Sequence, residues 1–198
     1  MYTVRKIVDG LYVDYNYTDQ TCNVLVNYST YKDDMYNILH NENGPAYETR
    51  YQNGVIQQQY YFVNGEEHRD NDLPACIFYN DKGNVTHEYW YKHGKQHRDN
   101  GPAVVHYEDG VMAYTVWHKD GCVHNITGPA TCINMNTNKI REYYYVEGRQ
   151  LTKIRFLRKY MPHEYQDYLK NKVYYINGKK YKISHVHTNG RTITMELV

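Results

Sequence analysis

The sequence predicts a mainly β protein: an antiparallel β-hairpin repeat array forming a single curved sheet, with a short helical segment and a terminal hairpin at the C-terminus. Three observations predict it. First, the stretch His97-Arg98-Asp99-Asn100-Gly101-Pro102-Ala103 recurs. It appears as His40-Asn41-Glu42-Asn43-Gly44-Pro45-Ala46, as the longer His68-Arg69-Asp70-Asn71-Asp72-Leu73-Pro74-Ala75, and as His124-Asn125-Ile126-Thr127-Gly128-Pro129-Ala130. The prolines at 45, 74, 102 and 129 set periods of 29, 28 and 27 residues, the mark of stacked supersecondary units. Second, alternating segments between the copies flank Asn-Gly and Asp-Gly pairs, which tolerate the positive φ of tight hairpin turns. Third, 25 of the 198 residues are tyrosine, against three phenylalanines and two tryptophans. A ring that covers surface while its hydroxyl stays wet suits a thin sheet with little interior.

Composition narrows the class further. Apolar residues make up 41% of the chain and the mean hydropathy is -0.86. Modest charge and plentiful aromatics argue against disorder. The net charge of +1 is unevenly placed. Residues 1–148 hold 12 Lys/Arg and 19 Asp/Glu, a balance of -7, and residues 149–198 hold 11 and 3, a balance of +8. Such asymmetry fits either a nucleic-acid or membrane-binding end, or a basic end docked on an acidic array. Cys22, Cys76, Cys122 and Cys132 form no C-x-x-C pair, and Met1-Tyr2-Thr3-Val4-Arg5-Lys6 has no apolar leader core. A disulfide framework and secretion are therefore not expected, and the expected setting is intracellular, in a host cytoplasm or a virion. No apolar run approaches the ~20 residues of a membrane span.

Residues 1–39 read as an N-terminal cap or degenerate repeat. Leu11–Tyr15 and part of Cys22–Tyr28 alternate, and Tyr31-Lys32-Asp33-Asp34-Met35 falls where later units carry strand, turn and return. Residues 40–153 hold four hairpin repeats. After each Pro-Ala comes a first strand: Tyr47–Tyr51, Cys76–Tyr79, Val104–Tyr107 and Thr131–Met135. A turn follows at Asn53-Gly54, Asp81–Asn84, Asp109-Gly110 or Asn136-Thr137-Asn138. The second strand is Val55–Val63, Val85–Lys92, Val111–Lys119 or Ile140–Val146, closed by Asn64-Gly65, His93-Gly94, Asp120-Gly121 or Glu147-Gly148. Proline opens the first strand because it has no N–H to give a ladder. Leu73 in the glycine slot indicates that the slot does not require positive φ. The repeated Ala46, Ala75, Ala103 and Ala130 indicate a site with room only for a methyl group.

Residues 154–198 read as a basic helical and hairpin cap. Thr152–Lys172 has helical spacing in Ile154, Leu157 and Met161, then Tyr165, Tyr168 and Leu169. Pro162 fits the first turn of a second helix. Val173–Ile183 about Asn177-Gly178 is a hairpin, and Asn189-Gly190 leads into a last strand, Thr192–Leu197.

The unit Glu88-Tyr89-Trp90-Tyr91-Lys92-His93-Gly94-Lys95-Gln96 followed by His97–Ala103 resembles the repeats of MORN-variant proteins. It is most similar to the version in proteins of large DNA viruses and phages, over about residues 31–153. That resemblance implies an antiparallel hairpin array used for binding or assembly, in a viral setting, with no catalytic residue to carry over.

Four residues before each closing glycine stand Tyr61, Trp90, Trp117 and Tyr144, one large aromatic per unit on the same side of the second strand. They are either internal packing or a partner-binding strip, since exposed Tyr and Trp dominate hot spots. Gln59, Glu88, Thr115 and Glu142 share their side; Tyr60, Tyr89, Val116 and Tyr143 face away. His40, His68, His97 and His124 form the obvious metal candidate. Neighbouring units lie roughly 10 Å apart at a strand spacing of about 4.8 Å, too far to share a zinc ion, so no metal and no cofactor is expected. His185-x-His187 supplies only two ligands. The histidines are expected to bond a turn carbonyl, as part of a structural turn with Arg69, Arg98, Asp99 and Pro102, where Asp70, Asp99 and Asn100 cap the backbone. No nucleophile–base arrangement or P-loop is present, so the chain is expected not to be an enzyme. The expected partner is a host or viral protein. The alternatives are nucleic acid, held by Arg155, Arg158, Lys159, Lys170, Lys172, Lys179, Lys180 and Lys182 among tyrosines, and a ligand sponge acting on host defence signalling.

Overall fold

The structure, a computed structural model, describes residues 2–18, 25–32, 38–135, 139–176, 178–186 and 193–197. The chain divides into two compact units, residues 1–149 and 150–198.

The first unit is built on antiparallel hairpins laid side by side in chain order. β1 (Tyr2–Val8), β2 (Leu11–Tyr17) and β3 (Leu25–Tyr31) open the sheet. Four main hairpins follow: β4 (Tyr47–Arg50) with β5 (Ile56–Tyr60), β8 (Cys76–Tyr79) with β9 (Val85–Tyr89), β12 (Val104–Glu108) with β13 (Val111–Val116), and β16 (Thr131–Met135) with β17 (Lys139–Val146). With β18 (Arg149–Leu151) they form a 12-stranded sheet whose order never departs from chain order. The predicted fold class holds.

The second strand of three units is interrupted, where the sequence pattern predicts it to be continuous. Between β5 and β6 (Phe62–Val63), β9 and β10 (Tyr91–Lys92), and β13 and β14 (His118–Lys119), the chain leaves the main sheet at Tyr61, Trp90 and Trp117. It then makes small hairpins with β7 (Glu66–Glu67), β11 (Lys95–Gln96) and β15 (Cys122–Val123). The backbone of the break residue explains the change of direction. Trp90 N–H donates to the Ala103 carbonyl at 2.8 Å, and its carbonyl accepts from His97 N–H at 3.1 Å. Tyr61 repeats this with Ala75 and His68, and Trp117 with Ala130 and His124. Each repeat is thus two hairpins, a main one in the sheet and a small one beyond it. In the last unit β17 runs through Tyr144 unbroken.

The small hairpins carry the predicted turns. Asn64-Gly65, His93-Gly94, Asp120-Gly121 and Glu147-Gly148 all have positive φ at both residues, from 48° to 85°. Of the main turns, Asp109-Gly110 is a two-residue turn closed by the Glu108–Val111 pair. Asn53-Gly54 instead lies in a longer loop, where Asn53 Oδ1 accepts Val55 N–H and the strand register slips before Arg50. The predicted turn at Asn136-Thr137-Asn138 lies outside the described residues, as do Cys22, Asp33-Asp34-Met35 and Asn177.

The interior is thin. Trp90, Ala103 and Val105 form its buried centre with Tyr107 packed against them. Ala46, Ala75, Ala103 and Ala130 are all at 0% exposure, which is the methyl-sized space the repeat indicates. Thr30 takes the break position of an earlier unit. It donates to Ala46 O and accepts from His40 N–H, and Tyr31 bridges to Leu39.

The second unit contains α1 (Lys153–Tyr160) and α2 (Pro162–Lys170), followed by β19 (Val173–Ile176), β20 (Lys179–Val186) and β21 (Ile193–Leu197) in one antiparallel sheet. Thr152 caps α1 by accepting Arg155 N–H, and Pro162 opens α2. The buried face of α1 is Phe156 and Leu157, whereas Ile154 is exposed. The spacing therefore points to Ile154 where the fold uses Phe156, two residues on and about 200° round the helix. Asn189-Gly190 and His187 are not among the described residues.

Candidate partner-binding surfaces

The repeated loop is a clamp made from the residue after each histidine. Asn41 Nδ2, Arg69 Nη1, Arg98 Nη1 and Asn125 Nδ2 all donate to the carbonyl of their own unit's proline, at 3.1 to 3.3 Å. Where the residue is arginine, the guanidinium also covers the break aromatic. Arg69 lies 3.7 Å from the centre of the Tyr61 ring and Arg98 3.9 Å from that of Trp90, cation–π geometry. The glycine slot now has a reason. A Cβ at Gly101 would stand 3.0 Å from the Arg98 guanidinium, and Gly101 has no positive φ. The strain of the lengthened loop falls instead on Asn71 and Asp72, with φ of 62° and 55°. Asp72 is used twice: its carbonyl accepts Trp90 Nε1 and its carboxylate accepts Arg98 Nε.

The histidines bond the turn of the following small hairpin, through its amide rather than a carbonyl. His40 Nδ1 accepts Asn64 N–H, His68 Nδ1 accepts His93 N–H, His97 Nδ1 accepts Asp120 N–H and His124 Nδ1 accepts Glu147 N–H, at 3.0 to 3.4 Å. The glycine next in each turn donates to the carbonyl just before the same histidine: Gly65 to Leu39, Gly94 to Glu67, Gly121 to Gln96 and Gly148 to Val123. A positive-φ turn aims two successive N–H groups at its neighbour, and an imidazole with a carbonyl beside it receives both. Nε2 of His68 and His97 faces Asp70 and Asp99 at 3.2 and 3.0 Å. The His97 contact and the charge beside it hold the Asp99 carboxyl below the usual range. With Nδ1 so occupied, these imidazoles are turn-holding groups.

The aromatic column offers little ring surface. Trp90 and Tyr144 are 6% and 5% exposed, while Tyr61 and Trp117 are half-buried. Polar bonds cross the same face: Gln59 Nε2 donates to Glu48, the Tyr107 hydroxyl to Glu88 and the Tyr144 hydroxyl to Glu142. Burial and the Glu88 carboxylate push the Tyr107 hydroxyl up to about 12. Two clefts, of about 670 and 390 Å³, open along the loops beside Tyr61 and Trp90.

The opposite face is richer in rings. Strand pairing places Gln58, Phe78, His87, His106, Tyr114 and Ile133 in one row. Beside it runs Tyr47, Tyr60, Cys76, Tyr89, Val104 and Val116. Ring centres step along this face at 5.7 Å from Tyr60 to Phe78, 5.7 Å from Phe78 to Tyr89, 5.7 Å from Tyr89 to His106 and 5.2 Å from His106 to Tyr114. A groove of about 590 Å³ continues the strip, lined by Tyr89, His106, Tyr114, His118, Tyr143 and Tyr145 among others. Burial, and then the His87 ring, hold His106 below the ordinary histidine pKa, and burial does the same to His118. Burial raises Tyr60, Tyr89 and Tyr114. The groove is therefore uncharged at neutral pH along these residues. Tyr60, Tyr89, Val116 and Tyr143 were legible in the sequence as the away-facing side. Phe78, His87, His106 and Tyr114 were not, although a count of two along each strand identifies them.

In the second unit Arg155, Arg158 and Lys159 are exposed on α1, at the spacing that puts them on one helix face. Lys170 ends α2 and Lys172 lies over Tyr168. Lys179, Lys180 and Lys182 are exposed on β20, where alternation sends Lys179 to one face and Lys180 and Lys182 to the other. Lys182 pairs across to Glu196. Of the cysteines, Cys76, Cys122 and Cys132 are free thiols.

No family model, no curated protein and no solved structure matches this chain.

Proposed function

We propose that the chain is a non-enzymatic repeat protein that binds a protein partner, host or viral, or assembles into a larger structure such as a virion. The observation that carries this reading is the continuous aromatic strip from Tyr60 to Tyr114 and the groove beyond it, half-exposed on a sheet whose other face is tied up in loop clamps and polar bonds. Rings presented on rigid strands lose little conformational freedom on binding, which favours them as anchors. The column of Tyr61, Trp90, Trp117 and Tyr144 then serves the array itself.

The test is capture from host lysate, with and without nuclease, by the wild type and by a Tyr89→Ser/Tyr114→Ser variant. A nuclease-resistant protein held by the wild type and released by the variant supports the reading. Capture that survives both substitutions removes the strip as the site. Capture lost with nuclease moves the site to the basic unit, and reversing Arg155, Arg158 and Lys159 to glutamate then removes the remaining binding, with a steep salt dependence.

A further inference from the structure

Arg69 and Arg98 stand at the same place in successive repeats and are held alike. Each donates through Nη1 to its own proline carbonyl, Pro74 or Pro102, at 3.2 and 3.3 Å. Each lies over its column aromatic, Tyr61 or Trp90, at 3.7 and 3.9 Å from the ring centre. Those two contacts fix the guanidinium and leave its Nε–H edge to meet the preceding loop. For Arg98 that loop carries the extra Asp72, and Nε donates to both carboxylate oxygens at 3.2 and 3.1 Å. For Arg69 the preceding loop is residues 41–45, one residue shorter, with Asn43 followed directly by Gly44. Arg98 is thus paired with Asp72, whereas Arg69 forms no ion pair among the described residues.

Arg69 lines the cleft of about 670 Å³, with Asn43, Tyr61, Val63 and Leu73 among its walls. Two carboxylates rim the same cleft. Glu42 and Asp70 are exposed, and each faces the histidine of its own loop, His40 at 4.0 Å and His68 at 3.2 Å. Their charge selects among anions, because a doubly charged phosphate is repelled about twice as strongly as a singly charged carboxylate. A carboxylate also matches the planar donor fork of arginine. The cleft is far larger than that one group, so the atoms that carry the carboxylate enter with it.

We propose that this cleft binds an aspartate or glutamate side chain on an extended segment of a protein partner, with Arg69 taking its carboxylate as Arg98 takes that of Asp72. The chain itself supplies the template. A carboxylate brought in on a loop, with Asn71 before it and Leu73 after it, sits against the equivalent guanidinium. A peptide suits the cleft better than a free acid, since Asn43 and Leu73 offer amide and apolar surface that a lone carboxylate leaves unused. The inference rests on the reading of the chain as a protein binder. It does not rest on the aromatic strip, none of whose rings lines this cleft.

The test is a titration of the isotope-labelled chain, followed by NMR at the arginine Nε–H groups. The probe is the tripeptide Asn-Asp-Leu, acetylated and amidated so that its aspartate is the only charge. A saturable shift of Arg69 Nε–H in the millimolar range is expected, with Arg98 Nε–H unmoved because Asp72 holds it. The tripeptide Asn-Asn-Leu is expected to bind at least about tenfold more weakly. Arg69→Asn removes the guanidinium but keeps the proline bond, which Asn41 and Asn125 make in their own loops. It is expected to abolish the peptide-induced shifts of the Asn43 and Gly44 amides. Tyr89→Ser/Tyr114→Ser is expected to leave those shifts unchanged, so failure of the strip and failure of this cleft are told apart. The proposal is overturned by no response at Arg69, by an equal response at Arg98, or by binding that survives Arg69→Asn or ignores the aspartate. It is overturned equally if acetate or inorganic phosphate at the same concentration moves Arg69 as far as the peptide does.

Discussion

The Nδ1 atom of His97 sits 3.1 Å from the backbone nitrogen of Asp120, 23 residues further along the chain. Asp120 holds a φ of 50°, so its amide points out of the turn toward the preceding unit. The bond joins the loop of one repeat to the small hairpin of the next, and three further histidines make the same connection. The relation gives the histidine of the repeat its purpose.

Replacing His97 by Phe keeps a planar ring and deletes the acceptor. It is expected to cost about 1 kcal/mol, seen as a lower urea midpoint with an unchanged slope. An unchanged midpoint would show that water serves the Asp120 amide as well.

Gly101 and Arg98 are expected to be energetically coupled. Gly101→Ala forces a methyl group to within 3.0 Å of the guanidinium and is expected to cost roughly 1–2 kcal/mol, in the range of overpacking. In an Arg98→Ala background the same change is expected to be neutral or slightly stabilising, since φ is not positive there and alanine leaves the unfolded chain less conformational freedom than glycine does. A double-mutant cycle measures the difference, and additive effects would mean that the glycine is kept for another reason.

Stability is expected to fall as the pH drops from 7 toward 5. His106 faces the Tyr89 hydroxyl, the His87 ring and the Tyr114 ring, and its folded pKa is held below the ordinary 6.5 by burial and by His87. The unfolded chain therefore takes up the proton first. The stabilisation is complete above about 6.5 and is lost as the pH falls toward the folded value. Urea midpoints across this range report it. His106→Gln is expected to flatten the slope, and a slope that survives the change would place the effect at His118 or elsewhere.

Thiol labelling is expected to be strongly ordered. Burial pushes the Cys76 thiol up to about 12, and only the thiolate reacts. Cys122 is exposed and should be alkylated first. Peptide mapping is expected to find Cys76 modified only under denaturing conditions, and early labelling there would show that β8 opens locally.

Much of the fold was legible because its signals are local. Asn64-Gly65 and Asp120-Gly121 announce turns by their backbone tolerance alone, and Pro162 announces the start of a helix by its missing N–H. The split of the second strand was not legible. Tyr61, Trp90 and Trp117 fit a continuous strand by alternation; their amides keep the register on Ala75, Ala103 and Ala130, and only their carbonyls, which accept from the amides of His68, His97 and His124, turn out of the ladder. The same is true of the helix pair, where Ile154 and Phe156 are both apolar and only packing chooses Phe156.

The sequence by itself determined the repeat, its period, the hairpin at each glycine pair and the crowded alanine, because each follows from steric limits on one or two residues. The tertiary structure decided where the column aromatics lie, that each histidine takes an amide from the next unit, that Gly101 makes room for Arg98, and which sheet face carries the aromatic strip. These depend on residues about one repeat apart meeting across strands. Spacing along the chain sets the period at which they return, but the register and bend of the sheet set which atoms meet.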